Sequence, residues 1–122
     1  EAVGSCDLVL IGADTFSDHT PVNKIGTTAL SLLAQHAGTP VYCLSTMNKY
    51  VPPELKQPQE KDHDESEVWP GAPSGIQIRN KYFENTPLHL IKHIVTESGI
   101  FDSTHQELVK KITIDEWLLK QF

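Results

Sequence analysis

The run DLVLIGADTFSDHTPVNKIGTTALSLLAQHAGTPVYCL, Asp7 to Leu44, decides the fold. Its opening, DLVLIG, is a short continuous apolar stretch closed by glycine, the pattern of a strand covered on both faces within a parallel sheet. From Lys24 to His36 the residues Ile25, Ala29, Leu32 and Leu33 recur at helical spacing, and Gly38 with Pro40 behind it stops the helix. PVYCLS then supplies a second buried strand. Two strands joined by one helix within about forty residues form a parallel, right-handed crossover unit. Against that pattern, an acid, Asp14, stands where the first strand should end, and Asn23 and Lys24 stand where the helix should begin.

A chain of 122 residues holds one compact domain with a real core and is too short for two. Its formal net charge of −6 argues against direct nucleic-acid binding, which calls for a basic surface. No apolar run approaches the roughly 20 residues that span a bilayer, so no membrane partner is expected. The two cysteines, Cys6 and Cys43, each flank a strand-like run and read as buried free thiols in a reducing, cytoplasmic compartment. The chain opens at Glu1 without a methionine and enters a strand within a few residues, as a fragment of a longer protein would.

Beyond Tyr50 the composition changes. Residues 51–75 hold five of the eight prolines and six acids against two lysines, which reads as a solvated, mobile surface loop dispensable for folding. Order returns with GIQIRNKYF, an alternating run expected to be a strand. Thr86 and Pro87 then cap a short helix in TPLHLIKHIV, followed by a strand HIVTE. Asp102 to Lys111 and Asp115 to Phe122 are expected to be helical. The fold class expected is therefore α/β, a Rossmann-like, mostly parallel sheet flanked by helices. The whole chain, 1–122, forms the single domain with its acidic Pro-rich loop at 51–75.

In such sheets ligands bind beyond the carboxyl ends of the strands, where helix amino ends also point. Asp14 lies at one such end and Lys49 just past another; Asn23 and Lys24 are expected at the helix amino end, with Gly26 letting the backbone approach a ligand. A carboxylate beside an amide and two ammonium groups suits a phosphorylated polyol, the lysines meeting phosphate and the acid moving a proton or holding hydroxyls. The plainer reading is that Asp14 caps a loop, Asn23 caps the helix and the lysines are solvent charges. His89 and His93, four apart, lack the intervening glutamate of a zinc-protease motif, and no metal is expected. No cofactor is expected either. Trp69 and Trp117 read as packing or interface residues, and His19 as an accessory acid or base over the crevice.

IGAD, VNKIGT, NKY, IQIRNKYFENTPLHLI and IVTESGI, in order from about Asp7 to Ile100, together resemble one family's carboxyl-terminal domain. That family joins the alpha, beta and delta regulatory subunits of translation initiation factor 2B with the isomerases of ribose-1,5-bisphosphate and methylthioribose-1-phosphate. The resemblance implies that Asp14 acts in proton transfer, that Asn23 and Lys24 contact substrate, and that Lys49, in TMNKY, is a substrate lysine. It places a second catalytic group, a cysteine, upstream of anything present here. Neither Cys6 nor Cys43 matches it, so the chain would hold half a site and be inactive alone.

TFSDHTP is about one residue shorter than the family's loop there and lacks its Asn-Gly turn, and the acidic loop is longer than an isomerase requires. Asp14 itself, by contrast, is the isomerase choice. The first function implied is thus an aldose-ketose isomerase resembling ribose-1,5-bisphosphate isomerase. The alternative is a regulatory subunit whose crevice binds a sugar phosphate or nucleotide and whose work is assembly of a guanine-nucleotide exchange complex with translation-factor subunits. Homo-oligomers through this domain are implied in either case, with Ile112, Trp117, Leu118, Leu119 and Phe122 as apolar surface.

Overall fold

A computed structural model describes residues 2–52, 55 and 59–103. Three parallel strands, β1 (Val9–Gly12), β4 (Val41–Leu44) and β6 (His93–Thr96), lie side by side, and β7 (Gly99–Asp102) returns antiparallel to β6, giving the order β1-β4-β6-β7. The crossover from β1 to β4 contains the 11-residue helix α1 (Thr27–Ala37). It also contains two short strands, β2 (Thr15–Phe16) and β3 (Pro21–Lys24), which with β5 (Phe83–Asn85) make a second, antiparallel sheet in the order β2-β3-β5. The α/β, largely parallel architecture agrees with the sequence; the second sheet is an addition to it.

Helix α1 ends as expected. Gly38 turns into the left-handed region at φ 73°, where a side chain would be strained, and its N–H closes on the carbonyls of Ala34 and Gln35. The start differs: the helix begins at Thr27, and Asn23 and Lys24 lie in β3. The buried face also differs. Thr27, Ser31 and Ala34 face the core, whereas Leu32, Leu33 and Ile25 are half or more exposed. Small residues let the helix lie close on the sheet, and the Ser31 hydroxyl is satisfied within the helix by the Thr27 carbonyl at 2.8 Å.

The sheet's α1 side carries the core: Ile11, Val41, Cys43, Ile94 and Phe101, joined by Ala34, Ile91 and the fully buried Phe16. Phe16 meets Tyr50 edge-to-face at 5.4 Å, and its carbonyl accepts from the Val51 N–H at 2.7 Å, so the small sheet is pinned to the chain leaving β4. Among the described residues the strands are covered on one face. Leu10, Leu44 and Ile100 project from the opposite side and are exposed, because no described element lies there. Cys43 is buried as expected, but Cys6 is exposed.

Other expectations need correction. GIQIRNKYF forms no strand before Phe83, since Asn80, Lys81 and Tyr82 bond the preceding loop instead. TPLHLIKHIV yields one 3-10 turn, Leu88–Leu90, so His89 sits in that turn and His93 opens β6; they share no helix. Asp102 ends a strand. The remaining expected helices, with Trp117 and the carboxyl-terminal interface residues, lie outside the described residues.

The described residues of the acidic loop hold no strand, but its second half is attached. His63 stacks on Tyr82 at 3.6 Å, and Glu67 accepts from Asn80 Nδ2 at 2.7 Å and from the Tyr82 hydroxyl. A loop with that many ties is not freely dispensable. Trp69, within it, is about half exposed at 49% and so is not a packing residue among the described atoms.

Truncating Phe16 to alanine should lower the unfolding free energy by about 3–5 kcal/mol, the cost of emptying a packed aromatic site. Leu10→Ala, on the face that no described residue covers, should cost less than about 1 kcal/mol. Urea denaturation of the two variants checks the contrast.

Candidate functional site

The carboxyl ends of β1, β4 and β6 form one rim. Asp14 follows β1, exposed, with its N–H on the Val22 carbonyl at 2.8 Å. After β4 the chain makes a 3-10 turn, Met47–Lys49, whose first N–H donates to both oxygens of Glu97 at 3.0 and 3.1 Å. That carboxylate, just past β6, fixes the turn and aims Lys49 inward: its Nζ donates to the Ala13 carbonyl at 2.9 Å, one residue before Asp14. Asp14 and Lys49 thus share the rim, as the sequence suggested.

Asn23 and Lys24 do not join them as a pair. Adjacent residues of a strand point to opposite faces, and these two occupy β3. Asn23 turns toward the helix, its Nδ2 donating to Thr27 Oγ1 at 3.1 Å. Lys24 turns outward and places its ammonium 3.8 Å from the Phe83 ring centroid, a cation–π contact. Gly26 adopts a backbone conformation that strains other residues. Its φ is 102°, and a Cβ added there would meet nothing within 4 Å.

The amino end of α1 is already occupied. A single oxygen of Glu84, from β5, accepts from the Gly26 N–H at 2.7 Å and the Thr28 N–H at 2.9 Å. Those are the donors that would otherwise attract an anion, and the carboxylate also meets the positive end of the helix dipole. Sequence reading missed Glu84 because it acts across 58 residues; the signal available was only a glycine where an N-cap side chain belongs.

A cleft of about 280 Å³ opens beside Asp14. Its floor is the outer face of the small sheet, with Thr15, Val22, Phe83 and Asn85; Glu84 also lines it, its carboxylate turned to the start of α1, and its walls carry Asp14 and, from the acidic loop, Gln59 and Glu60. Glu60 is held there by its Oε1, which accepts from the Tyr82 N–H at 2.8 Å and faces His63 Nε2 at 3.0 Å. The Tyr82 N–H, foremost, holds the Glu60 carboxyl below its ordinary range, so it is ionised at neutral pH. His19 lies in the β2–β3 hairpin loop, exposed and away from the cleft lining. Nearby, burial pushes the Cys43 thiol up to about 11, with the Lys49 ammonium drawing it partly back.

The sequence profile of the Initiation factor 2 subunit family matches residues 2–103. The chain is 36% identical over 116 residues to a methylthioribose-1-phosphate isomerase of Desulforamulus reducens, covering 87% of this chain and 33% of that protein. It is 34% identical over 119 residues to a 5-deoxyribose 1-phosphate isomerase of Clostridium botulinum, covering 89% and 34%. Among solved structures it resembles 5-methylthioribose 1-phosphate isomerase from Pyrococcus horikoshii, with a TM-score of 0.75 and 25% identity over 88% of this chain and 32% of that one. A translation initiation factor eIF-2B from the same organism gives a TM-score of 0.62 and 28% identity, over 82% and 35%. The chain spans about a third of the length of the curated relatives it matches.

Two outcomes follow from this geometry. Glu84→Ala should destabilise the chain by about 1–2 kcal/mol, the range for losing a helix cap, measured by chemical denaturation. A thiol reagent at neutral pH should label one cysteine, Cys6, in the folded chain and reach Cys43 only on unfolding, because Cys43 is both buried and held protonated.

Proposed function

The chain belongs to the initiation factor 2 subunit family, and from that membership we propose that it is the sugar-phosphate-binding domain of an aldose-ketose isomerase. The observation that carries this reading is the rim itself: Asp14 at the mouth of a cleft, with the Lys49 ammonium bonded to the carbonyl one residue away. Relatives named as isomerases of pentose 1-phosphates, at 34–36% identity, support the same chemistry.

In this reading Lys49 meets the phosphate, Asp14 moves the proton between adjacent sugar carbons, and the cleft holds the hydroxyl-bearing body of the substrate. Asn23 acts indirectly, by bracing Thr27 at the start of α1, and Lys24 through the surface it shares with Phe83. The remaining catalytic groups belong to chain outside residues 1–122, so this domain alone turns nothing over. A second reading is assembly as a subunit of a translation factor. It is supported by the likeness to the Pyrococcus eIF-2B structure and by the apolar rows on α1 and the sheet that no described residue covers.

Asp14→Asn in the full-length protein separates the two. The change is nearly isosteric and keeps the cation, so binding of a pentose 1-phosphate should persist while turnover falls by roughly 10²-fold or more. A full-length protein that binds no pentose phosphate and turns none over would favour the assembly reading.

A further inference from the structure

Lys49 stands on a turn of three residues whose two ends are held differently. At the exit Tyr50 is buried, its ring meets Phe16, its hydroxyl donates to Asp18, and the Val51 N–H is bonded to the Phe16 carbonyl. At the entry the sequence supplies a cap residue, Thr46, but its hydroxyl bonds the Asn48 side chain and caps no N–H of the turn. The Lys49 and Tyr50 N–H groups close on the Thr46 and Met47 carbonyls, so the Met47 N–H is an orphan donor of the turn. Glu97, 50 residues on, accepts it with both oxygens. Glu97 is exposed and lies outside the core cluster, so packing gives it no task. The two bonds run sideways across the rim in the order of the strands. Glu97, after β6, holds the turn that follows β4, and Lys49, on that turn, holds the Ala13 carbonyl after β1.

Resting on the isomerase reading above, we infer that Glu97 is a positioning residue: it touches no substrate, and it sets where the Lys49 ammonium stands when a phosphate arrives. An ammonium carries three donors; the Ala13 carbonyl takes one, and the others stay available to a ligand beside Asp14. Without Glu97 the entry of the turn loses its acceptor, the turn swings about its fixed exit, and the ammonium leaves Ala13. Phosphate contact is then lost through Lys49 and not through Glu97 itself. A charge-assisted contact of this kind acts in the ground state and the transition state alike, so the loss falls on KM more than on kcat.

The test compares the full-length protein as wild type, Glu97→Gln, Glu97→Ala, Lys49→Ala and the double variant of Glu97→Ala with Lys49→Ala. Two quantities are read: KM and kcat for 5-deoxyribose 1-phosphate, and the rate of reductive methylation of the Lys49 amine, followed by mass spectrometry with the exposed Lys92 as reference. Glu97→Ala should raise KM by about tenfold, the scale of one charge-assisted hydrogen bond, with kcat nearly unchanged. It should also speed methylation of Lys49 several-fold relative to Lys92. Glu97→Gln keeps an oxygen for the Met47 N–H and should hold both quantities near wild type. In the Lys49→Ala background, Glu97→Ala should raise KM no further, because residues that act through one contact do not add. Methylation of Lys49 unmoved by Glu97→Ala, a glutamine as damaging as alanine, or an equal rise in KM with and without Lys49 overturns this inference while leaving the isomerase reading intact. Methylation that responds as expected in a protein that turns over no pentose 1-phosphate overturns the isomerase reading alone.

Discussion

One carboxylate organises the site. Glu84 reaches from β5 to the amino end of α1 and accepts two backbone N–H groups through a single oxygen. The contact joins the small antiparallel sheet to the helix and fixes the segment Asn23 to Thr27 between them. It also fills the place where a helix would otherwise draw a phosphate. Any anion must therefore look to the other rim, where Glu97 steadies the Met47–Lys49 turn and Lys49 leans on the Ala13 carbonyl. Acids thus shape both ends of the site: one closes the helix, one aims the lysine, and Asp14 and Glu60 face the cleft between.

The same economy of small residues that seats α1 on the sheet leaves its larger apolar side chains outside. Leu32 and Leu33 on the helix, and Leu10, Leu44 and Ile100 on the far face of the sheet, have no described partner. Under the proposed reading, these rows are where the rest of a full-length chain, or further subunits, would pack, since the matched relatives are about three times as long. Among the described residues the core lies on one side of the sheet, organised around Phe16, Ile91 and Ile94, all essentially inaccessible.

How much of this the sequence discloses depends on the length over which each signal is written. DLVLIG, PVYCLS and HIVTE are apolar runs long enough to announce strands, and Gly38 announces the end of α1. Strands of two to four residues, such as β2, β3 and β5, are too short to show alternation, so the second sheet is invisible and Asn23 and Lys24 read as the start of a helix. That error has a functional consequence: placed in a strand, the two side chains part to opposite faces. GIQIRNKYF misleads in the reverse way, since its alternation is real but its polar residues serve the acidic loop. The helix face was misjudged because spacing marks where apolar residues recur, not which side lies close enough to demand small ones. Asp14 and Lys49 were legible because each immediately follows a readable strand. Glu84, Glu60 and Glu97 were not, because each works on a backbone group tens of residues away.

The central claim, that phosphate is held at the Lys49 rim and not at the helix amino end, is tested most directly by a crystal structure of the full-length protein with a pentose 1-phosphate bound. The account predicts the phosphate within hydrogen-bond reach of Lys49 Nζ, the sugar lying beside Asp14, and Glu84 still bonded to Gly26 and Thr28. A phosphate seated on the Gly26 and Thr28 amides, with Glu84 displaced, would contradict it.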